Sequence, residues 1–284
     1  MCRFVAYMGS PITLDLLVTK PVHSIIKQSF AARLRAEPLN GDGFGVAWYA
    51  PEFGEEPATF RSVQPAWSNR NLVNLARVTK SPVVFAHVRA ASPGLGVSEY
   101  NCHPFTRGSI TFMHNGEVGG FPLMKREIQA SLSDSSFQSL QGSTDSEHFF
   151  ALMHDRLGEV KAERPVERIA SAMQDTIRKV ETMRKAKKIE EAHYLNLAAT
   201  DGKCLVTARY SSDDAAASSL FYTVGRKYEC RDGVCYMIDP PGVAPDVIVA
   251  SEPLSTDTQW LEIPRNHLLL VRSSREIELR PIEC

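Results

Sequence analysis

The chain has 284 residues, 43% of them hydrophobic, and a formal net charge of −1 from 32 basic and 33 acidic side chains. A chain of this length buries a full core without staples, and its interleaved charges give no field suited to nucleic acid or a membrane surface. No basic segment followed by a long apolar run opens the sequence, and no run of about 18 apolar residues occurs. A cytoplasmic protein without nucleic-acid or membrane partners is expected.

The pattern of residues predicts the following elements in chain order. Residues 3–8 read as a strand, and Asn40-Gly41-Asp42-Gly43 as a turn leading into the strand Phe44-Gly45-Val46-Ala47-Trp48-Tyr49. Leu72, Val73, Leu75 and Val78 follow a helical period across 70–79. Val83-Val84-Phe85-Ala86 reads as a buried strand, 90–100 as a loop, and Ser109-Ile110-Thr111-Phe112-Met113 as another strand. The Ser- and Gln-rich stretch 131–144 reads as loop. Helix is expected over 145–190, with Pro165 at a helix start and Val166, Ile169, Ala170, Met173, Ile177 and Val180 on one face. The basic residues at 184–188 suit the C-terminal end of the helix dipole. Strands then fill 193–281, the first two joined at Asp201-Gly202. Strands, then helices, then strands favour an α+β fold, and without a repeat or linker the simplest organisation is one domain over 1–284.

The cysteines are Cys2, Cys102, Cys204, Cys230, Cys235 and Cys284. A disulfide framework is not expected in a long chain without a secretion signal. Cys230 and Cys235 flank Arg231-Asp232-Gly233-Val234. They read as a hairpin around an Asp-Gly turn rather than half of a zinc site, because no second ligand pair follows at zinc spacing.

Cys2 carries the first chemical signal. Methionine aminopeptidase removes Met1 when the next residue is small, and Cys2 would then hold a thiol and a free α-amine on one residue. With a pKa of about 7.7–8.0, that amine is a base for the thiol near neutral pH. Arg89, within His87-Val88-Arg89-Ala90-Ala91-Ser92, follows a buried strand. It forms either a surface salt bridge or a fork for a substrate carboxylate. Asn115-Gly116 after a strand is either a turn or an oxyanion hole made of a side-chain amide and a backbone N–H. Thr144 and Glu147 have capping-box spacing, which puts Asp145 in a first helical turn where it can meet a ligand's ammonium group.

Cys2, the 40–49 stretch, His87-Val88-Arg89-Ala90-Ala91-Ser92, His103-Pro104, His114-Asn115-Gly116 and Asp145-Ser146-Glu147 together resemble the class II glutamine amidotransferases of the N-terminal-nucleophile hydrolase superfamily. Cys2-Arg3 and Asn40-Gly41-Asp42-Gly43-Phe44-Gly45 resemble its stand-alone branch. That branch includes bacterial glutamine amidotransferases of this length, the amidohydrolase of ergothioneine biosynthesis and the fungal subunit of a glutathione-degrading complex. The motifs cover 2–150.

The resemblance implies a four-layer αββα sandwich and cleavage of a γ-glutamyl amide through a Cys2 thioester. It assigns Cys2 as nucleophile, Asn115 and Gly116 as oxyanion hole, and Arg89 with Ser92 as carboxylate site. Asp145 would take the ammonium group, and His103 would line the pocket or order its loop. Pro93 after Ser92 departs from the family's substrate-covering loop. No metal or organic cofactor is implied, since thiol attack on an amide needs neither. The alternatives are a glutaminase subunit passing ammonia to a partner synthase and a non-catalytic scaffold.

Overall fold

The computed structural model describes residues 2–34, 38–91, 96–214, 216–232, 234–238, 244–256 and 259–283. The first third holds β1 (Arg3–Thr13), α1 (Asp15–Val18), α2 (Ile25–Ala31), β2 (Phe44–Trp48), β3 (Ala58–Ser62), α3 (Arg70–Val78) and β4 (Lys80–Val88). The middle holds β5 (Phe105–Arg107), β6 (Ile110–Glu117), α4 (Phe121–Ala130), α5 (Asp134–Gln138), α6 (Asp145–Glu159) and α7 (Pro165–Ala186). β7 (Tyr194–Thr200), β8 (Leu205–Ser211), β9 (Phe221–Gly225), β10 (Lys227–Arg231) and β11 (Val234–Ile238) follow. The chain then forms β12 (Asp246–Ala250), β13 (Leu261–Glu262), β14 (His267–Val271) and β15 (Ile277–Pro281).

The strands form two large antiparallel sheets, one ordered β13-β9-β12-β1-β4-β2-β3 and the other β15-β14-β8-β7-β6-β5. Strand alternation distributes the core. On β1, Val5 and Tyr7 join Leu17, Val18, Ile25, Leu72 and Ala76 of α1–α3 in an outer cluster. Phe4, Ala6 and Met8 point the other way and pack between the sheets against Phe85, Met113, Ala198 and Leu269. Beyond the second sheet, Phe112, Leu197, Val206 and Leu270 meet α4, α6 and α7 through Met124, Phe149, Met153, Ile169 and Met173. Helix, sheet, sheet and helix thus form the αββα sandwich. Each fully buried Leu or Phe in these layers contributes about 1.5–3 kcal/mol.

Local chemistry sets the helix ends. Thr144 caps α6 by accepting the Glu147 N–H at 3.2 Å. Glu147 does not complete the capping box; its carboxylate accepts the N–H groups of Gln141 and Gly142 and so fixes the preceding loop. Pro165 opens α7, and Arg184 at its other end donates to the Ile189 carbonyl at 2.9 Å. The 131–144 stretch is not all loop. Ser133 accepts the Ser136 N–H and starts α5, so serines that read as loop composition act as caps.

The β10–β11 hairpin forms as expected, with Asp232 at φ 51° in its turn; Gly233 lies outside the described residues. Cys230 and Cys235 stand directly opposite one another, Cα atoms 4.0 Å apart, and are joined by a disulfide. No disulfide framework is expected in a chain of this length, and this one bridge forms because a tight hairpin brings the two cysteines together whatever the chain length. Among the described residues, no helix is long and apolar enough to cross a membrane, and no group of three or more His, Cys, Asp or Glu residues is placed to hold a metal ion.

At one end of the inter-sheet layer, Tyr49 ties the sheets together. Its hydroxyl lies 2.8 Å from the Thr111 hydroxyl and donates to the Ser109 carbonyl at 2.7 Å. Tyr49→Phe leaves these buried groups unpaired, an expected loss of about 1–3 kcal/mol; an unchanged urea midpoint would show that the bridge carries no stability. At the other end the layer turns polar, and His87 is stacked on His103 with ring centroids 4.2 Å apart. Burial pulls His87 down to about 3, and His103 and His114 move in the same direction for the same reason. An unfolded imidazole titrates near ~6.5, so between there and about 3 the unfolded chain takes up protons that the folded chain refuses. Stability should therefore fall as pH drops through that window. Thermal unfolding at pH 7.5 and pH 5 checks this, and equal midpoints would contradict it.

Candidate active site

The alternation that places Phe4 between the sheets also places Cys2 on that face, just before β1 begins. The same parity carries from Phe85 to His87 and Arg89 at the end of β4, from Met113 to Asn115 on β6, and from Val249 to Ser251 after β12. Pairing brings these ends together, because Arg3 faces Val88 and Val5 faces Ala250. The apolar layer therefore closes in a polar cluster made of residues remote in sequence.

The Cys2 thiol lies against the backbone of Ala90. It accepts the Ala90 N–H at 3.4 Å and donates toward the Ala90 carbonyl at 3.5 Å. Burial pushes the thiol pKa up; the Ala90 N–H and the Arg89 charge pull it back, while the Asp145 carboxylate raises it. Arg89 and Asp145 are thus both within electrostatic reach of the sulfur.

Arg89 is 3% exposed. Its Nη1 donates to the Asp42 carbonyl at 3.3 Å, and its Nη2 has no hydrogen-bond partner among the described residues. Among the described residues, Arg89 forms no salt bridge. The 40–43 turn holds the Arg89 backbone through Arg89 N–H to Gly43 and Asp42 N–H to Arg89, at 2.8 and 3.0 Å. Asp42 also accepts the Ala91 N–H at 2.8 Å.

Asn115 is fully buried and donates from Nδ2 to the Ser251 hydroxyl at 3.2 Å, leaving its second amide hydrogen. Its Oδ1 has no donor among the described residues. Gly116 has φ 145°, and a Cβ there would sit 1.7 Å from the Tyr194 carbonyl oxygen, so only glycine fits. Asp145 lies in the first turn of α6, half-buried, accepting the Val118 and Ser146 N–H groups, each at 2.8 Å.

His103 is buried behind this cluster, between His87 and Phe105, with no hydrogen bond to either ring nitrogen among the described residues. Ser92 lies outside the described residues. The structure thus gathers Cys2, Arg89, Asn115 and Asp145, and sets His103 as packing beneath them. Sequence reasoning missed Asp42, Ser251 and Glu252. The signal for Glu252 was present: a carboxylate just after the apolar strand β12 raises the same question of pairing that Arg89 raised after β4.

A buried donor and a buried acceptor without a partner among the described residues are groups that a ligand would satisfy. The family model of the class-II glutamine amidotransferases matches residues 15–228. The probable glutamine amidotransferase DUG3 of Saccharomyces cerevisiae is 42% identical over 303 residues, covering 99% of this chain and 84% of that protein. The gamma-glutamyl-hercynylcysteine sulfoxide hydrolase of Mycolicibacterium smegmatis is 26% identical, covering 98% of each chain. A glutamine aminotransferase class-II domain protein from Silicibacter pomeroyi superposes with a TM-score of 0.68 at 27% identity, covering 99% of this chain and 100% of its own. The chain belongs to the class-II glutamine amidotransferase family.

Proposed function

We propose that this protein hydrolyses a γ-glutamyl amide through a thioester on Cys2, after removal of Met1. The observation that carries the reading is a half-buried thiol within electrostatic reach of a buried guanidinium whose Nη2 has no protein partner among the described residues. The relative named as a hydrolase of a γ-glutamyl compound supports water as the acceptor.

In this reading the Cys2 α-amine takes the thiol proton as Sγ attacks the γ-carbonyl carbon. The tetrahedral oxyanion receives the free Asn115 amide hydrogen and the Gly116 N–H. The amine returns the proton to the leaving nitrogen as the C–N bond breaks, which leaves a γ-glutamyl thioester. Water, deprotonated by the same amine, attacks the thioester and releases glutamate and the thiol. Arg89 grips the substrate α-carboxylate with its open Nη2, and Asp145 takes the α-ammonium group. We assign Ser92 to the same carboxylate site and His103 to ordering the loop around it. We further read residues 1–284 as one catalytic domain acting on a small γ-glutamyl compound in the cytoplasm, with no cofactor in the chemistry.

The test is glutamate release from glutamine, glutathione and other γ-glutamyl amides, using protein whose intact mass shows loss of Met1. Release should fall about 10⁴-fold or more in Cys2→Ala. Release equal in both proteins would remove Cys2 from the chemistry, and the best substrate identifies the leaving group. No release from the isolated chain, restored by a partner synthase, would replace hydrolysis with ammonia delivery.

Arg89→Lys should lower kcat/KM by about 10–100-fold, mostly through KM, because a hydrogen bond to a charged group contributes about 1.5–3 kcal/mol and an ammonium cannot reproduce the guanidinium's geometry. An unchanged KM would place the substrate carboxylate elsewhere.

A further inference from the structure

Beside the thiol, on the opposite side of β1 from β4, lies a buried charge cluster that the proposed chemistry does not use. Glu252 is 1% exposed and directly follows Ser251. One carboxylate oxygen accepts from Arg3 Nε at 2.6 Å and from the Leu34 N–H at 3.1 Å. The other accepts from His23 Nε2 at 2.7 Å and from the Arg33 N–H at 2.8 Å. Burial pushes the carboxyl upward, but His23, the Arg33 amide and Arg3 outweigh it and hold it at about 2.

The arginine held this way has a second task. Arg3 Nη1 donates to the Cys2 carbonyl at 2.8 Å. That bond fixes rotation about the Cα–C bond of Cys2 and with it the directions of the thiol and of the backbone nitrogen. Ser251 does the matching work toward the other sheet. Its hydroxyl accepts the Phe4 N–H at 3.1 Å and the Asn115 Nδ2–H at 3.2 Å, while its own N–H donates to the Phe4 carbonyl at 3.0 Å. One dipeptide therefore touches both the segment carrying the thiol and the amide that would meet the oxyanion.

We propose that Ser251-Glu252 is the positioning element of the active site: Glu252 sets Cys2 through Arg3, and Ser251 sets Asn115 relative to Cys2. This rests on the reading of Cys2 as nucleophile. Neither residue touches substrate; both act through groups that do. The chain supplies the rest of the support. β12 pairs with β1 up to Ala250 opposite Val5, so the dipeptide leaves the sheet level with the start of β1. The 33–34 backbone closes over the carboxylate, which shields the cluster from water and keeps the Arg3 bond strong.

The test uses the full chain, with loss of Met1 confirmed by mass for every variant. Three substitutions separate the parts. Glu252→Gln removes the charge that holds Arg3. Arg3→Lys keeps a cation opposite Glu252 but lacks the fork needed to hold Glu252 and the Cys2 carbonyl together. Ser251→Ala removes the shared hydroxyl at the smallest cost in shape. Two readouts are made on each: kcat and KM for glutamate release, and the pH profile of Cys2 alkylation by iodoacetamide, located by peptide mass.

Each variant should lose about 10–100-fold in kcat with KM within about twofold, the scale expected when reacting groups move by about 1 Å. Glu252→Gln and Arg3→Lys should also shift the alkylation profile, because the sulfur and the amine lose their fixed relation. Ser251→Ala should leave that profile near wild type while lowering kcat. Should Glu252→Gln fail to fold, as judged by its melting curve, Arg3→Lys and Ser251→Ala carry the test. Variants that melt lower but keep wild-type kcat and alkylation profiles would make the cluster structural only and overturn the proposal. A wild-type protein that releases no glutamate from any γ-glutamyl compound would overturn the hydrolase reading instead, and the alkylation profiles would still judge the positioning.

Discussion

Everything at the site depends on β1 being buried on both faces and paired on both edges. β4 lies along one side and β12 along the other, and side chains alternate between the helix-side cluster and the inter-sheet cluster. Because the side-chain period is two, a slip of one residue would turn Cys2 out of the inter-sheet layer and carry Phe4, Ala6 and Met8 to the wrong face. The apolar packing of β1 therefore fixes the face on which the thiol appears. Its two neighbours then fix what the thiol meets: the end of β4 supplies Ala90 and Arg89, and the end of β12 supplies Ser251 and Glu252.

Much of this was legible in the sequence because the chemistry sits at strand ends. Arg89, Asn115 and Asp145 each follow or open an element whose pattern reads clearly, so their presence near one another could be argued from motif order. Local pattern runs out where the partner is distant. Arg3 and Glu252 are 249 positions apart, and no period or turn links them. The short helices α1 and α2 were missed for a related reason: at four and seven residues they are too short to show a period and exist by packing on β1 and β4. α5 was hidden by its own caps, since serine serves loops and helix starts alike. The disulfide was missed because an argument from compartment and chain length was used where hairpin geometry decides.

The buried Arg3–Glu252–His23 cluster costs more desolvation than an apolar cluster of the same volume, and a stability argument alone would not retain it. Its value lies in direction. Apolar contacts hold a backbone at a distance but leave rotation about single bonds soft. An arginine fork anchored on a carboxylate at one end and on the Cys2 carbonyl at the other removes that softness at the one residue where rotation matters.

The same electrostatics narrow the choice of base. Burial raises the thiol pKa, so on the proposed reading of Cys2 as nucleophile the sulfur rests as a thiol and needs a proton acceptor during attack. His87, held at about 3, gives a poor acceptor near neutral pH, and His114 and His103 are displaced in the same direction by the same burial. Their ring nitrogens are also turned elsewhere: His87 toward the His114 carbonyl, and His114 toward Ser146 and Tyr194. Asp145 is committed to the Val118 and Ser146 amides, and its negative charge opposes thiolate formation. Among the described residues, no imidazole is hydrogen-bonded to the Cys2 thiol, whose partners are the backbone groups of Ala90. In the proposed mechanism the base is the α-amine that Cys2 gains once Met1 is removed, and an α-amine's ordinary pKa of about 7.7–8.0 suits the task. A base on the same residue as the nucleophile needs no side chain to aim it, only a fixed backbone. In the proposed mechanism, that requirement is the one met by the contact of Arg3 with the Cys2 carbonyl.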